Sequence, residues 1–500
     1  MYRLKIIVAF ALWLTATCSG KNIVLIITDD QDSVLNGMEP MQFTRKLIAN
    51  EGVEFKKAFA AVPICCPNRA SILTGRYQHN HRTFNNSIAG GCNSDEWRNI
   101  HEKNTFAAVL KQQMRYNTFY AGKYLNEYGE KSTGGVAHIP PGWDKWYGLV
   151  GNSKYYNYTL SNNGREEWHG TRQSDYLTDV IWMYASQFLK GQKADKPFLM
   201  VLAPPAPHEP FTAPTRYVDK YKGKIKVPRN PNFNTDNPRD KHWLVRMGMS
   251  PLPVDVTTRL DDIYRKRWES LLAVDEMVNN VYTTLAAQNL LNDTYIIYTS
   301  DNGFHIGQFS MPYDKRQPYE TDIRVPLMMR GPGIVRGTEV KSAVSSVDLF
   351  ATILEIAGVE RPSDGVSLLN YEVLDRTVLV EYHGEKSHGK SNSGCPTDAD
   401  LNLALCHKDF ACKCQDAANN TYTCVRRVAE HYNNVFCLFY DDEHFVEYYD
   451  MINDQFQLTN LGPRMNSGQR YRFRKRVKKM SICKDATCIL TNPPYKAHAH

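Results

Sequence analysis

Asn22-Ile-Val-Leu-Ile-Ile-Thr28, cut short by Asp29-Asp30, is the stretch that decides the fold class. Its apolar run is mostly β-branched and unbroken by polar residues, the pattern of a strand buried on both faces, as in a parallel sheet. The pattern recurs. Pro197 to Ala203 ends in a proline-rich turn before His208, and Thr294 to Thr299 ends at Ser300-Asp301-Asn302. Val325 to Met329 reads as a fourth run, the weakest because Pro326 cannot donate to a ladder. Between these runs lie helical periodicities over Thr105 to Gln113, Asp175 to Leu189 and Ile263 to Leu285. Alternating strand and helix predicts an α/β main domain with a central, mostly parallel sheet flanked by helices. In such sheets ligands gather at the carboxyl ends of the strands. Asp29, Asp30, His208, Asp301 and Asn302 all fall just after predicted strands.

The flanking regions differ in texture. Arg3 and Lys5, the short apolar core Ile6 to Leu14 and the small residues Ala16 to Gly20 read as a secretory signal over residues 1–20. No later run is long and apolar enough to predict a membrane span. Phe211 to Pro253, rich in Pro, Asn, Lys and Arg, predicts a long irregular excursion. Beyond Asn370, strand-like runs at Thr377 to Tyr382, Asn434 to Tyr440 and His444 to Tyr449 predict a smaller C-terminal α+β domain with an antiparallel sheet. The organisation is therefore a main domain over 21–372 and a Cys-rich domain over 373–500. The chain has 12 cysteines. Setting aside Cys18 and Cys65 leaves an even set suited to disulfides in an oxidising compartment. Cys66 and Cys92 remain as a candidate N-terminal pair, and Cys395, Cys406, Cys412, Cys414, Cys424, Cys437, Cys483 and Cys488 crowd the last quarter, with a connectivity that sequence does not give. Zinc at Cys412-x-Cys414 is the competing reading. Sequons at Asn85, Asn157, Asn292 and Asn419 are candidate glycosylation sites. A net charge of +7 over 500 residues fits an anionic partner without demanding one.

Two groups of residues carry chemistry. Asp29, Asp30, Asp301 and the amide of Asn302 form an all-oxygen set, which favours calcium or magnesium over softer metals. Cys65-Cys-Pro-Asn-Arg69, continuing Ala-Ser-Ile-Leu-Thr-Gly75, places a cysteine just before a predicted helix from Pro67 to Thr74 that stops at Gly75. A helix N-terminus favours an anion, and Arg69 adds a planar cation suited to oxyanions. Without its companions, Cys65 would read as a half-cystine.

With them, the chain resembles the type I sulfatases of the alkaline phosphatase superfamily. The resemblance runs through Thr28-Asp-Asp-Gln-Asp32, the Cys65 to Gly75 motif and Ala121-Gly-Lys-Tyr-Leu-Asn-Glu-Tyr128. It continues through Asn152-Ser-Lys-Tyr-Tyr-Asn-Tyr-Thr159, Lys241-His-Trp243, Ser300-Asp-Asn-Gly303 and Asn419-Asn-Thr-Tyr422. It implies that Cys65 is oxidised to formylglycine by a formylglycine-generating enzyme during secretion. It also implies that Asp29, Asp30, Asp301, Asn302 and the modified Cys65 hold one Ca2+. One hydroxyl of the formylglycine gem-diol then attacks sulfur and expels the sugar alcohol; collapse of the diol to the aldehyde releases sulfate. Arg69 and Lys123 stabilise the diol and sulfate oxygens, and His208 and Lys315 approach the bridging oxygen, one of them as general acid. His305 and Asn126 are assigned to substrate. Asn126 takes the place of a His that arylsulfatases carry at the position of Leu125, and Asn68 stands where many of the family have Ser, Ala or Thr.

The resemblance is strongest to sulfatases acting on the 6-sulfate of N-acetylglucosamine. It implies a sulfated glycosaminoglycan substrate, a lysosomal or extracellular location, no nucleic-acid partner, and room for a homodimer. Another sulfate ester, such as a small dietary metabolite, is the alternative substrate. A non-catalytic glycosaminoglycan-binding protein is the alternative of another class, drawn from the basic run Arg470 to Lys479. Gln78-His79-Asn80-His81 is expected as a loop near the mouth of the site.

Overall fold

The computed structural model describes residues 20–491 except 194, 237–238, 248, 374, 386–409, 411–412 and 414. The signal segment before residue 20 and Cys395, Cys406, Cys412 and Cys414, with the zinc reading of the last two, lie outside the described residues.

The central sheet is built from β1 (Asn22–Thr28), β2 (Val53–Phe55), β3 (Asn117–Gly122), β4 (Lys145–Leu149) and β5 (Tyr158–Asn162), with β6 (Arg165–His169), β7 (Phe198–Ala203), β8 (Thr294–Ser300), β9 (Leu327–Arg330) and β10 (Thr338–Val340). Their order is β10-β2-β9-β8-β1-β7-β3-β4-β5-β6. The five central strands, β8-β1-β7-β3-β4, are mutually parallel, with Leu25 opposite Val201 on one side and Ile297 on the other. β9 and β5 run antiparallel to them on either side, and β6 pairs antiparallel with β5. Every residue of β1 is buried, and the period of two sends its side chains into two different cores. Ile23, Leu25 and Ile27 pack with α2 (Phe106–Met114) and α5 (Asp348–Ile356). Val24 and Ile26 pack with α3 (Leu177–Lys190) and α4 (Val254–Ala287). This two-sided burial is why the strand carries no polar residue between Asn22 and Thr28.

Two expectations needed correction. Val325 to Met329 is not one more parallel strand. Pro326 splits it, so that Arg324–Val325 pairs with Ala58–Phe59 in a small separate sheet while β9 runs antiparallel to β8. The proline lacks the N–H that a continuous ladder needs. The helix at the Cys65 motif, α1 (Cys65–Thr74), begins two residues before Pro67 and ends at Gly75 in the left-handed region (φ 65°). Proline is tolerated within the first turn, where its missing N–H has no partner to lose. The helix expected at Ile263 to Leu285 is longer, running 34 residues, or about 50 Å.

A second sheet is formed by β11 (Arg376–Tyr382), β12 (Tyr422–Ala429), β13 (Tyr432–Phe439), β14 (Val446–Asp450) and β15 (Leu490–Thr491), all antiparallel, in the order β14-β13-β12-β11-β15. Helix α6 (Ser467–Met480) packs on it, Phe473 stacking against Phe436 at 4.9 Å. The second sheet shares an apolar core with loop and helix segments of the main domain, joining Phe59, Tyr77 and Phe309 to Val378, Tyr422 and Phe436. Buried ion pairs fix their register: Arg426 to Glu320 at 3.0 Å and Arg316 to Glu385 at 2.6 Å. The Phe211 to Pro253 excursion has little regular structure, as expected. It is nonetheless pinned, His242 stacking on Phe439 at 4.0 Å and bonding Asp441 at 3.0 Å.

Disulfides join Cys66 to Cys92, Cys424 to Cys437 and Cys483 to Cys488, while Cys65 is a free, buried thiol. The first ties α1 to a segment 26 residues away. Removing it with the double variant Cys66→Ala, Cys92→Ala is expected to cost about 3.5 kcal/mol from the chain entropy of a loop of that length. Urea unfolding followed by circular dichroism measures it.

Candidate active site

The parallel strands end together, and their ends supply the carboxylates. Along an extended strand successive side chains point to opposite faces, so Asp29 and Asp30 would diverge. Instead Asp30 adopts the left-handed conformation (φ 67°), which for a non-glycine residue costs on the order of 1–3 kcal/mol. Its backbone is held on both sides. Its N–H donates to Asp301 Oδ1 (3.0 Å), and its carbonyl accepts from Arg267 (2.6 Å). The turn brings ligand atoms of Asp29, Asp30, Cys65 and His208 within 4.8 Å of one another. From the end of β8, Asp301 Oδ1 also accepts the N–H of Asn302 (2.8 Å), and Asn302 Nδ2 donates to Asp30 Oδ1 (2.7 Å). Gly303 follows because a Cβ there would lie 2.0 Å from the Thr321 carbonyl oxygen.

Helix α1 delivers the rest from the side. Cys65 Sγ stands 3.8 Å from Asp30 Oδ1. One turn on, Arg69 donates through Nε to Asp301 Oδ2 (2.7 Å) and through Nη1 to the Lys123 carbonyl (2.7 Å). Lys123, just past β3, donates to Asp29 Oδ2 (2.8 Å), and Lys315 donates to Asp30 Oδ2 (2.7 Å). His208 Nε2 is 3.7 Å from that same oxygen, its Nδ1 lying 2.6 Å from the Glu209 carbonyl.

These groups are almost wholly withdrawn from water, and their proton affinities follow. Burial pushes Asp29 up, but Lys123, His208, Arg69 and Lys315 outweigh it and hold the carboxyl well below the usual range. Burial and the neighbouring Asp29 push Asp301 up to about 7 in spite of Arg69. Burial, with Lys315 and Lys123 alongside, lowers His208 to about 4 against the pull of Asp29 and Asp30. Burial raises the Cys65 thiol, so it stays protonated.

The donor set fits a hard cation. Asp29 Oδ1 and Asn302 Oδ1 are buried and accept no hydrogen bond. Orphaned buried oxygens are costly, and two on adjoining strand ends, beside the carboxylate of Asp30, are what an oxygen-liganded divalent ion satisfies. Arg69 Nη2 is likewise unpaired, 3.7 Å from Asp29 Oδ1.

Three further residues build the site, and the sequence reading did not assign them. Ser153, within the motif after Asn152, donates to Asp29 Oδ2. Arg267, deep in α4, donates to the carbonyls of Asp30 and Pro207 and to Asp32 Oδ1 (2.6, 3.2 and 3.3 Å) and lies 4.0 Å over the ring of Phe304. It ties together the loops after β1, β7 and β8. Its only sequence signal was a charge among the apolar positions of a helix. Asn68, noted only as a departure, uses both ends of its amide. Nδ2 donates to the Asp301 carbonyl, while Oδ1 accepts from Ala61 N (3.1 Å) and Ser346 Oγ (2.6 Å).

Other expected positions lie apart from the carboxylate cluster. His305 is buried, with Nδ1 3.0 Å from Asp322 and Nε2 unpaired; Asn126 is buried with its whole amide unpaired. Neither bonds the cluster among the described residues. Gln78–His81 is a helix rather than a loop at the mouth of the site. His79 is drawn to Glu381 (2.8 Å) and the Cys483 carbonyl (2.8 Å), and His81 to Ser71 (2.9 Å). Asn157 and Asn292 are exposed; Asn85 and Asn419 are half-buried.

Comparison with known proteins follows the same lines. The Sulfatase family profile matches residues 21–359. N-acetylglucosamine-6-sulfatase of Homo sapiens is 45% identical over 477 residues, covering 93% of this chain and 85% of that protein. The putative extracellular sulfatase Sulf-1 homolog of Caenorhabditis elegans is 40% identical over 366 residues, covering 72% of this chain and 50% of its own. Among solved structures, BT4656 in complex with its substrate D-glucosamine-2-N,6-O-disulfate superposes with a TM-score of 0.71 at 22% identity, covering 92% of this chain and 97% of that one. A putative sulfatase from Bacteroides fragilis gives 0.69 at 18%, covering 94% and 97%. These two likenesses bear on the fold, which is the alkaline-phosphatase-like fold of sulfatases. With the family profile spanning the carboxylate strands and α1, and close relatives matching nearly end to end, the chain belongs to the sulfatase family and is a sulfuric ester hydrolase.

Proposed function

We propose that the protein removes the 6-sulfate from terminal N-acetylglucosamine of heparan or keratan sulfate, in the lysosome, using a formylglycine made from Cys65 and one bound calcium. The observation that carries the reading is the single buried cluster in which Cys65 meets Asp29, Asp30, Lys123, His208 and Lys315. The 45% identity to the human N-acetylglucosamine-6-sulfatase supports the choice of sugar.

Asp29, Asp30, Asp301 and Asn302 are the residues to hold calcium, which when bound supplies a positive charge to draw on sulfate oxygens. Formylglycine at position 65 supplies a hydrated aldehyde whose hydroxyl is the nucleophile. The chain's own groups do the rest. Arg69 is immobilised by Asp301 and the Lys123 carbonyl, leaving Nη2 for an incoming oxyanion. Lys123 carries a second fixed charge to the same place. His208 and Lys315 meet at one oxygen of Asp30, so the leaving sugar oxygen takes its proton there. The unpaired Nε2 of His305 and amide of Asn126 supply polar groups for the sugar. Because Cys65 is fully buried in the folded chain, a formylglycine-generating enzyme must act on it before folding, in the secretory pathway. The same reading keeps 21–372 as the catalytic domain, 373–500 as the Cys-rich domain, and the four sequons as glycan sites.

The decisive test is mass spectrometry of the peptide bearing residue 65, expected about 18 Da lighter than the cysteine form, together with sulfate release from 6-sulfated N-acetylglucosamine. Only cysteine in an active preparation sinks the mechanism; turnover of aryl sulfates without the sugar sinks the substrate. Cys65→Ala is expected to lose about 10⁴-fold or more in kcat/KM.

Chelation should abolish turnover, and calcium at 100 times its Kd should restore it while stabilising the fold by about 2.7 kcal/mol, read as a rise in Tm. Arg267→Lys keeps the charge but cannot reach three acceptors, and should weaken calcium binding about 10–100-fold. A calcium titration of the Tm shift measures this independently of turnover.

A further inference from the structure

Helix α6 has a job that the catalytic cluster leaves unexplained. Phe473, Val477 and Met480, spaced to lie on one stripe, face the second sheet. The remaining face is cationic: Arg472, Arg474, Lys475, Lys478 and Lys479 are exposed, and none of them forms an ion pair among the described residues. Several arginines elsewhere on the surface, by contrast, are paired: Arg216, Arg229, Arg246 and Arg265 each meet a carboxylate. On the same face Tyr471 is 67% exposed, with Arg474, Lys475 and Lys478 three, four and seven positions on, hence beside it on the helix surface.

The cationic surface continues past the helix. Lys484 comes five residues after Lys479, so at most about 18 Å of chain separates them, and the Cys483–Cys488 disulfide braces the loop that carries it. Lys484 lines a cavity of about 350 Å³ together with His101, Lys103, Arg361 and Arg76, of which Arg76 is paired with Asp364 and Asp485.

We propose that the outer face of α6 and the Lys484 cavity form a second binding site, separate from the catalytic cluster, for the sulfated polysaccharide chain whose end is being cleaved. An exposed aromatic ring offers a stacking face to a sugar, and cations on either side suit sulfates repeated along a polymer. The apolar stripe of α6 is already buried against the sheet, which leaves it no face to sink into a lipid surface. The inference rests on the sulfated-glycan reading above. It adds that the enzyme holds a polymer away from the reacting end, so that polymer and monosaccharide substrates respond differently to the same substitutions.

The test compares the full-length protein with the variant Arg474→Glu, Lys475→Glu, Lys478→Glu, with Tyr471→Ala, and with Lys103→Glu, Lys484→Glu. Binding to heparan sulfate oligosaccharides and to chemically desulfated chains is measured across a salt series, beside kcat/KM on sulfated monosaccharide. The α6 variant should bind the sulfated oligosaccharide at least about tenfold more weakly. Its slope of log affinity against log salt should be shallower by about one per cation removed, as for other polyanions. Tyr471→Ala should weaken binding without changing that slope, and the cavity variant should shorten the length of oligosaccharide that gains affinity. All three should turn over monosaccharide as the wild type does. Unchanged oligosaccharide binding overturns the proposal, as does equal binding of desulfated chains or an equal loss on monosaccharide. A wild-type protein that binds the polymer but releases no sulfate from any sugar would instead refute the proposed catalytic function and leave this site standing.

Discussion

Three carboxylates cannot be buried side by side unless something positive is buried with them, and most of this structure answers that requirement. Taking one ion out of water costs several kcal/mol even after relaxation. Asp29, Asp30 and Asp301 are met by Lys123, Lys315 and Arg69, each nearly or wholly buried and each contributed by a different part of the chain. Lys123, His208, Arg69 and Lys315 hold Asp29 well below the usual carboxylate range despite its burial, whereas burial and the neighbouring Asp29 push Asp301 up to about 7 against Arg69 and Lys123. The imbalance lies where Asp29 Oδ1 and Asn302 Oδ1 accept no hydrogen bond. A divalent ion would complete the arrangement, which is why the donor set reads as a metal centre and not as an ordinary salt-bridge network.

The fold exists to hold these charges in register. β1 and β8 are paired along seven residues, so Thr28 lies opposite Ser300 and the acidic groups that follow emerge together. Arg267 then reaches from the long helix α4 to the loops after both strands and after β7. Asn68 couples α1 to the Asp301 carbonyl and to the Ala61–Val62 backbone, so the helix carrying Cys65 and the strand end carrying Asp301 cannot shift independently. The residue singled out as a departure from family habit is therefore a buried connector whose four hydrogen-bonding contacts leave little of its amide unsatisfied.

Much of this could be read in the chain beforehand, for a definite reason. A strand buried on both faces must be apolar throughout, so β1, β7 and β8 announce themselves, and the polar residues that end them sit where a parallel sheet collects ligands. The expectation failed at Val325 to Met329, where the same composition surrounds a proline and the strand splits between two sheets running in different senses. It failed again at Gln78 to His81, expected as a loop near the mouth of the site, which forms a helix whose His79 is held by Glu381 and the Cys483 carbonyl, far away in the chain.

The sequence by itself determined the α/β class, the acidic strand ends, and the cysteine at the start of a helix with Arg69 beside it, because each of these is a local matter of residue type and spacing; Lys123 and Lys315 were legible only through the family resemblance. Only the tertiary structure decided that Arg267, Ser153 and Asn68 serve the site, that the second sheet packs its core against segments of the main domain, and that the exposed cations of α6 form no ion pair among the described residues. Those facts are contacts between residues far apart in the chain, and their energies depend on burial and direction, which no local pattern of residues records.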